Sequence, residues 1–216
     1  MARKRAVSVN ELNQYKPRLL EFSGAWFNLL GKPELRGGWL VWGQSGNGKT
    51  RFALQLAKYM SGFARVAYNS LEEGISQSMK QAFSEVGMME ASGRIILLDQ
   101  EPIAELIARL KKPKSPRIVF IDSLQYTGMN YADYKRLKDL FKDKLFILVS
   151  HAEGRDPAGR VAKSIRFDAN VKIRIEGFRA FAISRYGGGL YYDVWPDEAK
   201  SYWGERTIPT LVEEIR

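Results

Sequence analysis

The sequence predicts an α/β fold: a mainly parallel central sheet covered by helices, with antiparallel strands added at one edge. Three observations predict it. The apolar runs beginning at Trp39, Val66, Ile95, Ile118 and Leu145 are continuous instead of alternating, as strands covered on both faces require. Segments with apolar residues at helical spacing lie between these runs, and strand–helix alternation is the mark of a parallel sheet. Later the runs crowd together, Val171 to Ile175, Phe178 to Ser184 and Leu190 to Val194, with only the short turns at Gly177 and Gly187-Gly188-Gly189 between them. Such spacing implies antiparallel hairpins.

Composition narrows the class. At 216 residues the chain is long enough to bury a core as one domain. With no cysteine, disulfides and thiolate metal sites are excluded. The basic start Arg3-Lys4-Arg5 is followed by no early apolar run, and no stretch approaches the roughly 20 apolar residues that span a bilayer. The expectation is a soluble, cytoplasmic protein without a membrane partner. The net charge of +10 is more than solubility requires and favours a polyanionic partner, although its spread along the chain also fits a generally basic surface.

Taken in order, residues 1–36 form an N-terminal helical segment ahead of a core spanning 37–216. After Pro17, the spacing of Leu19, Phe22, Trp26 and Leu30 predicts a helix ended by Gly31, laid on the core or docked on a neighbouring subunit. Trp39 to Trp42 is the first strand. Phe52, Leu56, Tyr59 and Met60 mark the apolar side of the helix behind it. Val66 to Tyr68 is the next strand, followed by a helix to about Val86, then the strand Ile95 to Leu98. A helix beginning near Pro102 turns Ile103, Leu106, Ile107 and Leu110 inward. The strand Ile118 to Asp122 leads to a helix carrying Tyr134, Leu137 and Phe141, then to the strand Leu145 to Val149.

Between the first strand and its helix lies GQSGNGKT, which matches the phosphate-binding pattern GxxxxGK[ST]. The residues Gly43, Gln44, Ser45, Gly46, Asn47, Gly48, Lys49, Thr50 and Arg51 form the candidate nucleotide site. Its glycines let backbone amides close around phosphates at a helix start, where unpaired N–H groups already favour an anion. Lys49 would reach the β- and γ-phosphates of ATP, and the Thr50 hydroxyl would ligate Mg²⁺. A chance Gly-rich turn is the bland alternative, but the flanking strand and helix are the context the motif needs.

The apolar strand RIVFIDS ends in Asp122, a second candidate ligand for Mg²⁺, directly or through water; an ordinary strand-end cap is the alternative. Hydrolysis also needs a group that orients and deprotonates water. Glu72 and Glu73 follow the second strand on the carboxyl edge where ligands of such sheets bind, though either also suits the first turn of a helix.

The succession GQSGNGKT, YNSLEEG, VFIDSLQ, ILVSH and FAISRYGG resembles the RecA/DnaB-type ATPases, from Gly37 to Gly189. The resemblance implies a RecA-like P-loop fold, ATP and Mg²⁺ as cofactors, and a homo-oligomeric ring or filament acting on single-stranded DNA in replication or recombination. It favours Glu72 over Glu73 as catalytic base and maps a γ-phosphate sensor onto Ser150-His151. His151 is the only histidine; on chemistry alone it is equally a surface or core imidazole. Arg185 matches the family's trans-acting arginine, with a solvated strand-end charge as the alternative. The family's lysine falls on Ile183, a departure that Lys172 or Arg174 would have to compensate. The segment from His151 to Phe167 carries Arg155, Arg160, Lys163 and Arg166, which the resemblance places against single-stranded DNA; such cations would track a phosphate backbone. The aromatics Tyr191, Tyr192, Trp195, Tyr202 and Trp203 suit base stacking or packing over the edge strands.

Two other functions share the loop. A small-molecule kinase would use residues 153–166 as a lid and a metabolite as acceptor. An ATP-dependent switch would bind protein partners and turn over little.

Overall fold

Everything is positioned by β1 (Gly37–Gly43), which is buried along nearly its whole length and ends in the phosphate-loop glycine. The computed structural model describes residues 6–204, so Arg3 to Arg5 and positions 205–216 of the expected tail lie outside the described residues. Along the chain follow α1 (Val9–Gln14), α2 (Gly24–Leu30), β1, α3 (Lys49–Met60), β2 (Val66–Ser70), α4 (Gln77–Glu85), β3 (Ile95–Asp99), α5 (Ile103–Leu110) and β4 (Ile118–Asp122). Next come α6 (Tyr131–Leu140), β5 (Leu145–Glu153), β6 (Asp156–Pro157), α7 (Gly159–Asp168), β7 (Val171–Glu176), β8 (Arg179–Ser184), β9 (Tyr191–Asp193) and α8 (Pro196–Trp203).

The sheet runs β3-β2-β4-β5-β1-β7-β8-β9, with β6 paired to the end of β5. Strands β3, β2, β4, β5, β1 and β7 are parallel, and β8 and β9 are antiparallel additions at one edge. Alternation along β1 sends Trp39 and Val41 into the layer made with α2 and α3, and Leu40 and Trp42 into the layer made with α5, α6 and α7. Two buried faces explain the absence of polar alternation, since each fully buried side chain adds about 1.5–3 kcal/mol. Among the described residues no helix is long and apolar enough to cross a membrane.

Two segments depart from the expectations. The helix expected from Leu19 to Leu30 begins only at Gly24, whose φ of +57° breaks the preceding run. Residues 18–22 are extended instead: Leu19 bridges Glu34, and the Leu20 and Leu35 amides donate to the Pro33 and Arg18 carbonyls at 2.7 and 2.8 Å. Leu20 and Phe22 are still buried, but from an extended chain. The polar stretch after His151, expected as a DNA-facing segment or a kinase lid, is regular structure. It forms the β5–β6 hairpin and α7, whose Ala162 and Ile165 are buried on the sheet. The last aromatics mostly take the packing use open to them: Tyr192 stacks on Trp26 at 4.5 Å, and Trp203 meets Phe181 at 5.6 Å while its Nε1 donates to the Gly177 carbonyl at 3.1 Å.

Candidate nucleotide site

The loop from Gly43 to Gly48 joins β1 to the start of α3. A Cβ on Gly43 would lie 2.3 Å from the Ile175 carbonyl oxygen, so β7 leaves room for no side chain there. Gly48 caps α3 in the left-handed region at φ +89°, which turns the chain into the helix. The first-turn amides of Lys49, Thr50 and Arg51 have no intrahelical acceptors and are available to an anion. Asn47 anchors the loop from the other side: its Oδ1 accepts from the Gly177 amide at 2.7 Å and its Nδ2 donates to the Ser45 carbonyl at 3.2 Å. Gln44, Ser45 and Gly46 stay exposed at the tip.

Lys49 Nζ donates to the Gln44 carbonyl at 2.9 Å, which folds the ammonium into its own loop. Burial lowers its pKa, and the negative charges of Asp122 and Glu72 partly offset the effect. The three groups therefore share one field. Parallel pairing sets them there, because Asp122 ends β4 beside Val149 of β5, and Gly43 of β1 is level with His151.

Asp122 is buried, and desolvation raises its carboxyl to about 6. The Tyr68 hydroxyl opposes that shift by donating to Oδ2 at 2.5 Å, whereas Glu72 reinforces it and Lys49 counters it. Burial, followed by the Asp122 charge, raises the Tyr68 phenol well above its ordinary value. Tyr68 is thus a site residue that sequence reading missed. Its signal was a phenol hydroxyl in a fully buried strand, where it needs a partner.

The Asp122 main chain also holds the next element, since its carbonyl accepts from the Leu71 and Glu72 amides at 2.6 and 3.2 Å. The Glu72 carboxylate meets His151 Nε2 at 3.0 Å, and Ser123 Oγ lies 3.5 Å from the same nitrogen. Glu73 turns away and accepts from Ser78 at 2.7 Å. Gln125, also overlooked, fixes the end of β5: its Nε2 donates to Ser150 Oγ at 2.8 Å and its Oε1 accepts from the His151 amide at 3.3 Å.

Among the described residues no cluster of three or more His, Cys or acidic side chains forms a metal cage. A magnesium ion carried by phosphate oxygens needs only one or two protein oxygens. Thr50 at the helix start and a desolvated carboxylate that accepts the Tyr68 hydroxyl through Oδ2 fit that donor set.

Comparison with solved structures decides the fold. Over 82% of its length the chain superposes on 94% of the flagellar accessory protein FlaH from Methanocaldococcus jannaschii, with TM-score 0.58 and 16% identity. It matches a KaiC-like protein from Pyrococcus horikoshii OT3 over the same shares of both chains, with TM-score 0.56 and 16% identity. The fold is that of the RecA-like P-loop ATPases. A third solved structure with this RecA-like fold, an ATPase domain, gives TM-score 0.53 and 17% identity over 76% of this chain and 83% of the other. No family model and no curated protein matches the sequence.

Other predicted site residues lie apart from the loop. In this RecA-like sheet β8 is antiparallel, and Ser184 pairs with Val171, itself level with Trp39. Arg185 therefore projects from the edge opposite Gly43, roughly 15 Å away at about 3.3 Å per residue. It cannot reach its own phosphate loop. Lys172 lies directly across from Ile183. Burial first, then the charges of Arg166 and Arg185, holds the Lys172 pKa below its usual value, so these cations are neighbours. Arg174, the other candidate replacement, is buried against Glu176 and the Phe181 ring.

Within the basic segment, Lys163 pairs with Glu153 at 3.3 Å. Arg166 pairs with Asp156 and covers the Trp42 ring at 5.3 Å. Arg160 is exposed on α7, while Arg155 borders a cavity of about 380 Å³ shared with Gln44, Asn47, Arg174 and Tyr202.

Proposed function

We propose that the chain is a Mg²⁺-dependent ATPase that works as one protomer of a homo-oligomer on single-stranded DNA. The observation that carries the hydrolytic part is the Glu72–His151 contact at 3.0 Å beside Asp122 and Lys49. The loop amides and Lys49 would grip the triphosphate, and Thr50 and Asp122 would hold a metal whose charge offsets that on its oxygens. Glu72 takes the proton of the attacking water. His151, on the strand end next to the γ-phosphate position, orients that carboxylate and reports the phosphate to β5.

The position of Arg185 supports an oligomer. A guanidinium at the edge opposite its own loop serves hydrolysis only in a neighbour's site, where its fixed charge matches that spreading over phosphate oxygens. Lys172 takes the place of the lysine absent at position 183. DNA enters through the overall charge of +10 and the exposed face of α7 around Arg160.

A second reading, an ATP-dependent switch for a protein partner, is favoured by the pairing of Lys163 and Arg166 with acids of the β5–β6 hairpin, which leaves fewer cations for phosphates. The kinase reading loses support because its lid would be α7, packed on the sheet through Ala162 and Ile165. The deciding experiment measures phosphate release with and without single-stranded DNA, alongside mass in Mg-ATP. A DNA-stimulated oligomer supports the proposal. A monomer indifferent to DNA supports the switch.

A further inference from the structure

Beside the first turns of α3, on the side away from the carboxylates, sits an aromatic surface that the phosphate chemistry does not use. Residues Gly48, Arg51 and Gln55 share one face of α3, at i, i+3 and i+7. The 194–195 segment lies along that face. A Cβ on Gly48 would touch Val194 at 3.4 Å, Gln55 Nε2 donates to the Val194 carbonyl at 3.1 Å, and the Arg51 guanidinium stacks on the Trp195 ring at 4.3 Å. Glu85 of α4 holds Arg51 from behind at 2.7 Å. Trp195 keeps 38% of its surface exposed, whereas Trp26 and Trp203 are packed into the core.

Direction selects the ligand. The γ-phosphate end of a bound triphosphate faces Asp122, Glu72 and His151, on the β4–β5 side of β1. What is attached to the α-phosphate leaves on the β7–β8 side, where Trp195 stands one helical turn from the loop, about 5 Å along the axis. Taking the nucleotide site as read above, we propose that the Trp195–Arg51 couple is the base platform, stacking the purine of a nucleoside triphosphate. Arg51 covers one face of the indole, and the other face, backed by that guanidinium, takes any π surface and gains with its area. It therefore prefers purines to pyrimidines and separates adenine from guanine weakly.

The test is calorimetric titration of the full chain with Mg-ATP, Mg-CTP and magnesium tripolyphosphate, which has no base. Trp195→Ala is expected to weaken ATP about tenfold, equivalent to about 1.4 kcal/mol. It should leave tripolyphosphate unchanged and abolish the preference for ATP over CTP, and Trp195→Phe should restore ATP binding to within about threefold. Equal weakening of ATP and tripolyphosphate, or no weakening of either, overturns the platform while the phosphate site stands. A wild-type chain that binds neither phosphate ligand removes the underlying nucleotide reading, and the platform with it.

Discussion

Replacing Tyr68 by Phe isolates one oxygen atom on which both fold and site depend. Tyr68 is fully buried, and its hydroxyl donates at 2.5 Å to a carboxylate that is itself buried. Above the Asp122 pKa of about 6 the acceptor is charged, and such a bond is worth about 1.5–3 kcal/mol. Below it the bond joins neutral groups and is worth about 1 kcal/mol. Urea unfolding of the nucleotide-free protein at pH 7.5 should therefore show the variant about 2 kcal/mol less stable, and at pH 4.5 only about 1 kcal/mol. Excess Mg-ATP at pH 7.5 should recover part of the difference, because a cation beside Asp122 supplies the charge compensation the phenol gave. An equal loss at both pH values would show that the hydroxyl matters only as packing, and the account of Asp122 as a strained carboxylate would be wrong.

Other consequences are as definite. Since the folded Asp122 pKa lies above its unfolded value, its stabilising contribution is complete below about pH 4 and is lost as pH rises through about 6; Asp122→Asn should remove that slope, about 2 kcal/mol of the difference between pH 4.5 and 7.5. Gly43→Ala forces a methyl to within 2.3 Å of the Ile175 carbonyl and should cost at least about 2 kcal/mol in urea unfolding, with Mg-ATP affinity falling alongside. His151→Ala frees Glu72 from its partner and should lower turnover at least about tenfold while ATP binding stays within about threefold, as separate titration and phosphate-release assays would show. Arg185→Ala protomers mixed with Glu72→Gln protomers should recover activity, since each supplies what the other's site lacks; two inactive variants that stay inactive on mixing would contradict the action of Arg185 in a neighbour's site.

The phosphate loop and Asp122 were legible because each is local: a glycine-spaced loop between a strand and a helix, and one carboxylate closing an apolar strand. The parallel sheet was legible for the same reason, through uninterrupted runs such as Ile118 to Ile121, buried on both faces. What required coordinates was strand order. Glu72 and His151 are 79 positions apart and meet because β4 lies between β2 and β5. Tyr68 and Asp122 are 54 apart, and no spacing rule links them. Position 185 could be matched to a pattern, but only the antiparallel pairing of β7 and β8 puts it at the far edge. The helix α7 was not legible because its inward face offers little beyond Ala162 and Ile165 among polar residues. Conversely, the apolar spacing from Leu19 to Leu30 mimicked a continuous helix across a chain that pairs with residues 33–35 for its first half.

The central claim is that water attacks a triphosphate gripped in this loop with Glu72 as the base, and a paired measurement on one preparation tests it most directly. Mg-ATP affinity and phosphate release are measured for the wild-type chain and for Glu72→Gln. The account predicts binding by both proteins, with release falling at least about a hundredfold in the variant, the lower end of what a general base contributes. Unchanged release from Glu72→Gln, or a wild-type chain that does not bind Mg-ATP, would contradict it.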